Sequence, residues 1–157
     1  MEAEFLHMVE KHQGIIYKVC RMYRDRREEQ EDLFQEIVLQ LWKSFPDFRK
    51  ESKASTWMYR IALNTAIAVF RKNKPNIEFK DEMPKKHSYS DHQEPSENEQ
   101  RLFEAIRSLN KAERALIALY LEDYPYKEIA DILGITENYV GVKMSRIKEK
   151  LKTILKE

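Results

Sequence analysis

The 157-residue sequence has little cysteine, little glycine and no long apolar run, and each shortage excludes a class of protein. A single cysteine rules out an internal disulfide framework and a cysteine-rich zinc site. Three glycines leave few positions for phosphate-binding loops or tight hairpins. No apolar run approaches the roughly 20 residues of a membrane-spanning helix, and the N-terminus lacks the basic and apolar parts of a signal peptide. With 35% charged residues, the composition predicts an all-α protein of the cytoplasm.

Groupings of residues that would support catalysis or metal binding are also missing. The sequence shows no Ser/His/Asp or paired-carboxylate arrangement, and we predict neither a cofactor nor a metal. His7 and His12 do not share a helical face, and His87 and His92 lie in a polar stretch, so we expect structural or solvated histidines. Cys20 falls on the apolar side of a predicted helix, where a core position is expected and a redox role is the alternative.

The net charge of +1 is the sum of three unlike segments. Residues 1–75 carry 14 Lys or Arg and 11 Asp or Glu, whereas residues 76–98 carry 3 and 6. Residues 99–157 carry 11 and 10, with the basic excess towards the C-terminal end. Two mildly basic blocks therefore flank an acidic connector.

Residues 75–98 predict a linker between two helical domains, 1–74 and 99–157. The segment contains three prolines, many polar residues and no sustained helical or strand period. Its length is unusual for a connection inside one compact domain. We therefore expect two small all-α domains that are joined flexibly, and the alternative is a surface loop on a single bundle.

The first block predicts three helices. The first ends near Arg24, the second runs from about Glu29 to Phe45 and stops before Pro46, and the third runs from about Ser55 to Lys72. Apolar residues at helical spacing predict the core. They are Phe5, Val9, Ile16, Val19, Cys20 and Tyr23, then Leu33, Phe34, Ile37, Val38, Leu41 and Phe45, then Met58, Tyr59, Ala62, Leu63, Ala66, Val69 and Phe70.

The second predicted helix carries an unusual face opposite its apolar side. Asp32, Gln35 and Glu36 lie there, with Leu39 at the centre and Trp42 at the edge. Large apolar side chains among acidic and polar groups are typical of a protein-binding patch. The alternative is that Leu39 and Trp42 pack under a neighbouring helix.

The third predicted helix aligns Arg60, Asn64 and Arg71 in a polar stripe, with Trp57 at its border. Cationic groups beside an aromatic ring suit single-stranded nucleic acid, because cations meet phosphates and the ring stacks on an unpaired base. The alternative is an ordinary solvated face.

The second block predicts four helices, of which the last two form a helix-turn-helix over residues 126–151. Asn110 and Glu113 have the spacing of a capping box, and Pro125 suits the first turn of the third helix of this block. Gly134 permits the tight turn, and Thr136 can cap the last helix. The inward positions of that helix are Val140, Met144, Ile147 and Leu151. A short helical hairpin is the alternative to a DNA-binding motif.

The outward face of the last helix predicts contacts to duplex DNA, because the second helix of such a motif lies in the major groove. Arg146 could read guanine, Asn138 adenine, and Val142 a thymine methyl group. Phosphate contacts are expected from the lysines, which are Lys143, Lys148 and Lys150.

The stretches DLFQEIVLQLWKSFPDF and STWMYRIALNTAIAVFRK, followed by the helix-turn-helix, resemble the bacterial sigma-70 family. More narrowly they resemble its extracytoplasmic-function (ECF) group, which keeps the second and fourth conserved sigma regions. The resemblance covers nearly the whole chain, in order and with the expected linker. It implies a non-catalytic subunit of RNA polymerase that directs promoter-specific initiation.

The resemblance also assigns sites. The motif matching Asp32, Gln35 and Glu36 binds the clamp helices of the polymerase β′ subunit, which agrees with the patch that includes Leu39 and Trp42. The loop 48–55 and the following helix would melt and capture the −10 element. The residues assigned to −10 DNA are Trp57, Arg60, Asn64 and Arg71, and those assigned to the −35 duplex are Thr136, Asn138, Tyr139, Val142, Lys143, Arg146 and Lys150.

The resemblance names further partners and one departure. The polymerase β subunit and promoter DNA are implied, and an anti-sigma factor is a further partner that the family allows. The linker would thread the RNA-exit path, and its acidic excess suits a channel built for an anionic strand. Many relatives carry polar or basic residues where this sequence has Gly141 and Val142, so the promoter sequence does not follow from the resemblance.

Two other classes of protein compete with this interpretation. A stand-alone helix-turn-helix regulator would bind duplex DNA without polymerase and would not need the acidic face around Asp32. An adaptor that binds only protein would not need a basic recognition helix.

Overall fold

The computed structural model describes residues 2–48, 50, 53–71 and 95–156, with the side chains of residues 69–71 left aside. These residues form seven α-helices, one 3₁₀ turn and no strand, as the all-α prediction requires. The helices are α1 Glu2–Tyr23, α2 Arg27–Ser44, α3 Ala54–Arg71, α4 Glu97–Arg107, α5 Lys111–Leu121, α6 Tyr126–Leu133 and α7 Glu137–Lys156, and the 3₁₀ turn is Phe45–Asp47. None of the helices in these ranges has both the length and the apolar composition needed to cross a membrane.

The described helices fall into two compact units, α1–α3 and α4–α7. In the first unit each helix contacts the other two. Every apolar residue that the spacing assigned to the core of α1 is buried. The same holds for α2, except that Phe45 is half-buried, and for α3 as far as Ala66. Val69 and Phe70 belong to the side chains that are not described.

The helix boundaries differ from the prediction where local caps decide them. α2 ends at Ser44, and the chain continues through Pro46 as a 3₁₀ turn. α4 begins at Glu97, so residues 97 and 98 are helical and do not belong to the linker. The reason is a capping box, in which the Glu99 amide donates to Ser96 Oγ (3.2 Å) and the Ser96 amide donates to Glu99 Oε1 (3.1 Å). Residues 75–94 of the predicted linker lie outside the described residues.

The second unit contains the turn signals that the sequence predicted. Asn110 Oδ1 accepts from the Glu113 amide (2.9 Å), and Glu113 Oε1 accepts from the Asn110 amide (3.1 Å). Gly134 ends α6 in the left-handed region (φ 71°). Thr136 Oγ1 caps α7 by accepting from the Tyr139 amide (3.1 Å). The helix-turn-helix prediction is therefore confirmed, and all four inward residues of α7 are buried.

Candidate protein and nucleic-acid interfaces

The predicted exposure of the patch on α2 is wrong for Leu39, and Trp42 is only partly exposed. Leu39 is only 2% exposed, so it belongs to the core of the first unit. Trp42 is half-buried and packs edge-to-face on Phe5 of α1, with ring centroids 5.0 Å apart. Because α1 and α3 both pack against α2, the helix buries more than one side. The alternative that both residues pack against a neighbouring helix is thus correct.

The acidic members of the patch also divide into buried and exposed residues. Glu36 is only 6% exposed, and its Oε2 accepts a hydrogen bond from Gln40 Nε2 (3.1 Å). Asp32 is exposed and Gln35 is half-buried. The surface available to a partner on this side of α2 therefore centres on Asp32 and Gln35, with Glu36 beneath it.

An aromatic cluster that the sequence analysis missed joins α1, the end of α2 and the start of α3. Phe48 and Trp57 are stacked, with centroids 4.6 Å apart and ring planes 27° apart. Phe45 lies 6.4 Å from each of them and 5.4 Å from Phe5. Through Phe5 the cluster includes Trp42. The density of aromatic residues between positions 42 and 57 is the sequence signal that could have revealed it.

The structure describes part of the polar stripe predicted on α3. Arg60 and Asn64 are exposed, as the spacing predicts, while Trp57 is half-buried against Phe48. The side chain of Arg71 lies outside the described part of the chain. An exposed cation therefore lies one turn from a stacked aromatic pair, an arrangement that suits a flipped-out base next to a phosphate.

The outward face of α7 is solvent-exposed where the sequence predicted base contacts. Tyr139 and Val142 are each 47% exposed, which is high for large apolar side chains. Thr136, Asn138 and Arg146 are exposed as well. Lys143 is half-buried, and its ammonium lies 5.9 Å from the centroid of the Tyr139 ring.

An open depression of about 770 Å³ lies on this face between α7 and the start of α6. Its lining combines hydrogen-bonding groups with an apolar strip. The lining residues are Tyr126, Glu137, Asn138, Gly141, Val142, Ser145 and Arg146. A Cβ atom added to Gly141 would lie 3.9 Å from two carbons of the Tyr126 ring, which is ordinary van der Waals contact.

Two of the three lysines predicted to contact phosphates contact side chains of other helices. Lys150 Nζ lies 2.7 Å from Glu113 Oε2 and joins α7 to α5. Lys148 Nζ lies 4.2 Å from the centroid of the Tyr120 ring and 3.4 Å from the Tyr126 hydroxyl. Residues 113 and 150 are 37 positions apart, so no local pattern could have predicted their pairing.

The Glu113 carboxylate is held in its charged form. Burial, the largest influence, raises its pKa, but the hydrogen bonds from Lys150 and from the Asn110 amide, with the nearby lysine charges, outweigh it. The pKa of Glu113 is therefore lowered from its ordinary value. The same carboxylate completes the capping box of α5, so Lys150 supports a structural carboxylate.

Two further titratable residues, Cys20 and His12, have shifted pKa values. Cys20 is fully buried, and burial raises the pKa of its thiol far above the usual value, which agrees with the predicted core position. Burial and the charge of Lys11 lower the pKa of His12. Across the described residues, no three His, Cys, Asp or Glu side chains come together as a metal-ligand set.

Two family models match the chain, one for each unit. The model for sigma-70 region 2 matches residues 8–75, and the model for sigma-70 region 4 matches residues 99–151. The first match contains α2 and α3, and the second contains α5, α6 and nearly all of α4. Together they account for well over half of the sequence.

Curated relatives and solved structures agree with these matches. The chain is 25% identical to the ECF RNA polymerase sigma factor SigW of Bacillus subtilis, over 98% of this chain and 89% of the relative. It is 27% identical to the ECF RNA polymerase sigma-E factor of Haemophilus influenzae, over 90% and 82%.

Solved structures that share its fold include the following two. The sigma factor RpoE from Bartonella quintana, in complex with the anti-sigma factor NepR, has a TM-score of 0.73 and 20% identity, over 98% of this chain and 97% of that chain. CnrH, in complex with the cytosolic domain of CnrY, has a TM-score of 0.67 and 18% identity, over 99% and 90%.

Proposed function

This chain belongs to the sigma-70 family of RNA polymerase sigma factors, in its extracytoplasmic-function group, and from that membership we propose how its two units divide promoter recognition. Its function is to associate with RNA polymerase and direct it to promoters, which excludes the stand-alone regulator. Sigma factors are non-catalytic initiation factors. We propose that this chain likewise leaves the chemistry to the polymerase and works in the cytoplasm, where the polymerase acts.

In our proposal the unit α4–α7 reads the −35 element as duplex DNA through the outward face of α7. The observation that carries this assignment is the exposure of Tyr139, Val142 and Arg146 beside an open depression. Arg146 is suited to a guanine edge, Asn138 to adenine, and Val142 to a thymine methyl group. Thr136 caps α7, and the N-terminal turn that it caps is assigned to the DNA. Lys143, at the flank of this face, is assigned to a phosphate.

The unit α1–α3 captures the melted −10 strand. Arg60 and Asn64 are exposed on α3, and the stacked pair Phe48 and Trp57 lies at the start of the same helix. Unstacking DNA costs a few kcal/mol per step, and stacking an unpaired base on an aromatic ring returns about 1–3 kcal/mol. A flipped base that extends the Phe48–Trp57 stack would offset much of the cost of melting. Arg71 is assigned to the same strand by the family motif.

The polymerase clamp helices bind the side of α2 that exposes Asp32 and Gln35. Glu36, Leu39 and Trp42 were assigned to the same contact, but Glu36 and Leu39 are buried, so their part in it is indirect. Leu39 and Glu36 stabilise the position of α2 from its buried side, and only the exposed portion of Trp42 can contact a partner. In this proposal Asp32 faces basic groups of the clamp helices, because complementary charges guide association and suppress wrong partners.

One further partner follows from relatives of known structure. RpoE from Bartonella quintana and CnrH were solved with NepR and with the cytosolic domain of CnrY. We propose that this chain is also held by an anti-sigma factor, one that covers its polymerase-binding and DNA-binding surfaces. The predicted linker, which ends before α4 begins at Glu97, is assigned to the RNA-exit path of the polymerase.

Run-off transcription with purified core polymerase tests the proposed docking surface. We expect promoter-specific transcripts that require the chain and that fall more than about tenfold with Asp32→Lys, since like charges at an interface cost several kcal/mol. Glu10→Lys, the same charge reversal at an exposed position of α1, is the matched control and should transcribe normally. Normal transcription by the folded Asp32→Lys variant would refute the docking surface.

A further inference from the structure

Gly141 occupies a position where neither the backbone nor the packing of this protein requires glycine. It lies inside α7, and its φ is not in the left-handed region, in contrast to Gly134 at the turn. Glycine in a helix interior destabilises the helix relative to alanine, because it loses more backbone freedom on folding. Gly141 therefore makes α7 less stable than alanine would, without a reason in the backbone conformation or the packing.

The surroundings of Gly141 leave room for a side chain. The nearest atoms to an added Cβ would be Cδ2 and Cε2 of Tyr126, both at an ordinary 3.9 Å. A methyl group would therefore fit without moving the Tyr126 ring. The hydroxyl of the same ring accepts a hydrogen bond from Lys148 Nζ, at 3.4 Å.

The space that a side chain would fill belongs to the open depression on the outward face of α7. Gly141 lies between the hydrogen-bonding side chains of Asn138 and Ser145, one turn away on either side, and next to the exposed Val142. Because glycine has no side chain, Gly141 itself does not cover the backbone of α7 at this point. A molecule that enters the depression could therefore contact the helix backbone directly at Gly141.

We propose that Gly141 sets how closely promoter DNA approaches α7, by letting a nucleotide of the −35 duplex pack on bare helix backbone between Tyr126 and Val142. A Cβ at this position would hold the duplex away and weaken the contacts of Asn138 and Arg146 to the bases. Gly141 is thus an affinity-determining residue of the DNA interface. This inference rests on the proposed function, because it takes the −35 duplex to be the ligand of this face.

The variant Gly141→Ala tests the proposal. Holoenzyme assembled from bacterial core polymerase and each variant would be titrated with a duplex that wild-type holoenzyme enriches from a pool randomised over the −35 region. We expect a Kd at least about tenfold higher for Gly141→Ala, since displacing the helix costs more than one base contact. The melting temperature of the free variant should rise by about 4 °C, because alanine favours the helix.

Two controls separate the inference from the function on which it rests. Gly14→Ala changes a glycine inside α1 that also has free space around it, and it should leave the affinity for DNA unchanged. Arg146→Ala removes a proposed base contact and should weaken binding. If Arg146→Ala weakens binding but Gly141→Ala does not, the inference fails and the DNA-binding face stands. If neither changes the affinity, the proposed face is itself wrong. A Gly141→Ala chain less stable than wild type would also overturn the inference, because the glycine would then serve the fold.

Discussion

Replacing Lys150 by methionine removes the ammonium that faces the buried carboxylate of Glu113. The two charged atoms are 2.7 Å apart, and the side chains are 54% and 4% exposed. Exposed ion pairs contribute about 0.2–1 kcal/mol, and losing one partner of a fully buried pair costs about 3–5 kcal/mol. Since only the carboxylate end is buried here, we expect Lys150→Met to lower the free energy of unfolding of the unit α4–α7 by about 1–2 kcal/mol.

The pH dependence gives this prediction a signature. The folded-state pKa of Glu113 is lowered from its ordinary value of 4.5, so the stabilisation is present above that value. It is lost as the pH falls through the folded-state pKa, where the carboxylate becomes protonated. The difference between wild type and Lys150→Met should therefore be largest near neutral pH and shrink in acid. Urea unfolding followed by circular dichroism at a series of pH values measures it.

Lys152→Met is the matched control, since Lys152 is exposed on the same helix, and its unfolding should stay within about 0.5 kcal/mol of wild type. Equal stability of Lys150→Met and wild type at neutral pH would refute the structural role of Lys150. If DNA binding by Lys150→Met then depends less steeply on salt concentration than binding by wild type, Lys150 contacts a phosphate, as the sequence predicted.

Two further predictions concern the first unit. Leu39→Ala should lower its free energy of unfolding by about 2–5 kcal/mol, the usual cost of truncating a buried leucine. Urea unfolding measures this beside the exposed control Lys43→Ala, and a loss below about 0.5 kcal/mol would show that Leu39 is not buried. The Cys20 thiol should react with a water-soluble disulfide reagent only as fast as the unit unfolds, because the thiol is buried and its pKa is raised. Rapid stoichiometric reaction of the native protein at neutral pH would contradict this prediction.

Signals that act within about four residues could be interpreted from the sequence alone. The capping pair Asn110 and Glu113, the left-handed Gly134 and the cap Thr136 all form as predicted, because each depends on hydrogen bonds or backbone freedom inside one turn of chain. The apolar residues that the 3.6-residue period assigned to the core of α1 and α7 are buried for the same reason. The sequence motifs also identified the family, since they extend over nearly the whole chain.

What the sequence could not determine is which side of a helix its neighbours cover. The period of α2 places Leu39 opposite the first apolar face, but only the packing of α1 and α3 against α2 decides that this second side is also buried. For Lys150 the sequence predicted a phosphate contact, but it could not predict that the fold brings Glu113, 37 residues away, to the Lys150 ammonium. Periodicity fixes the direction of a side chain about its own helix axis. Its burial and its partners depend on contacts between distant segments, which exist only once the chain has folded.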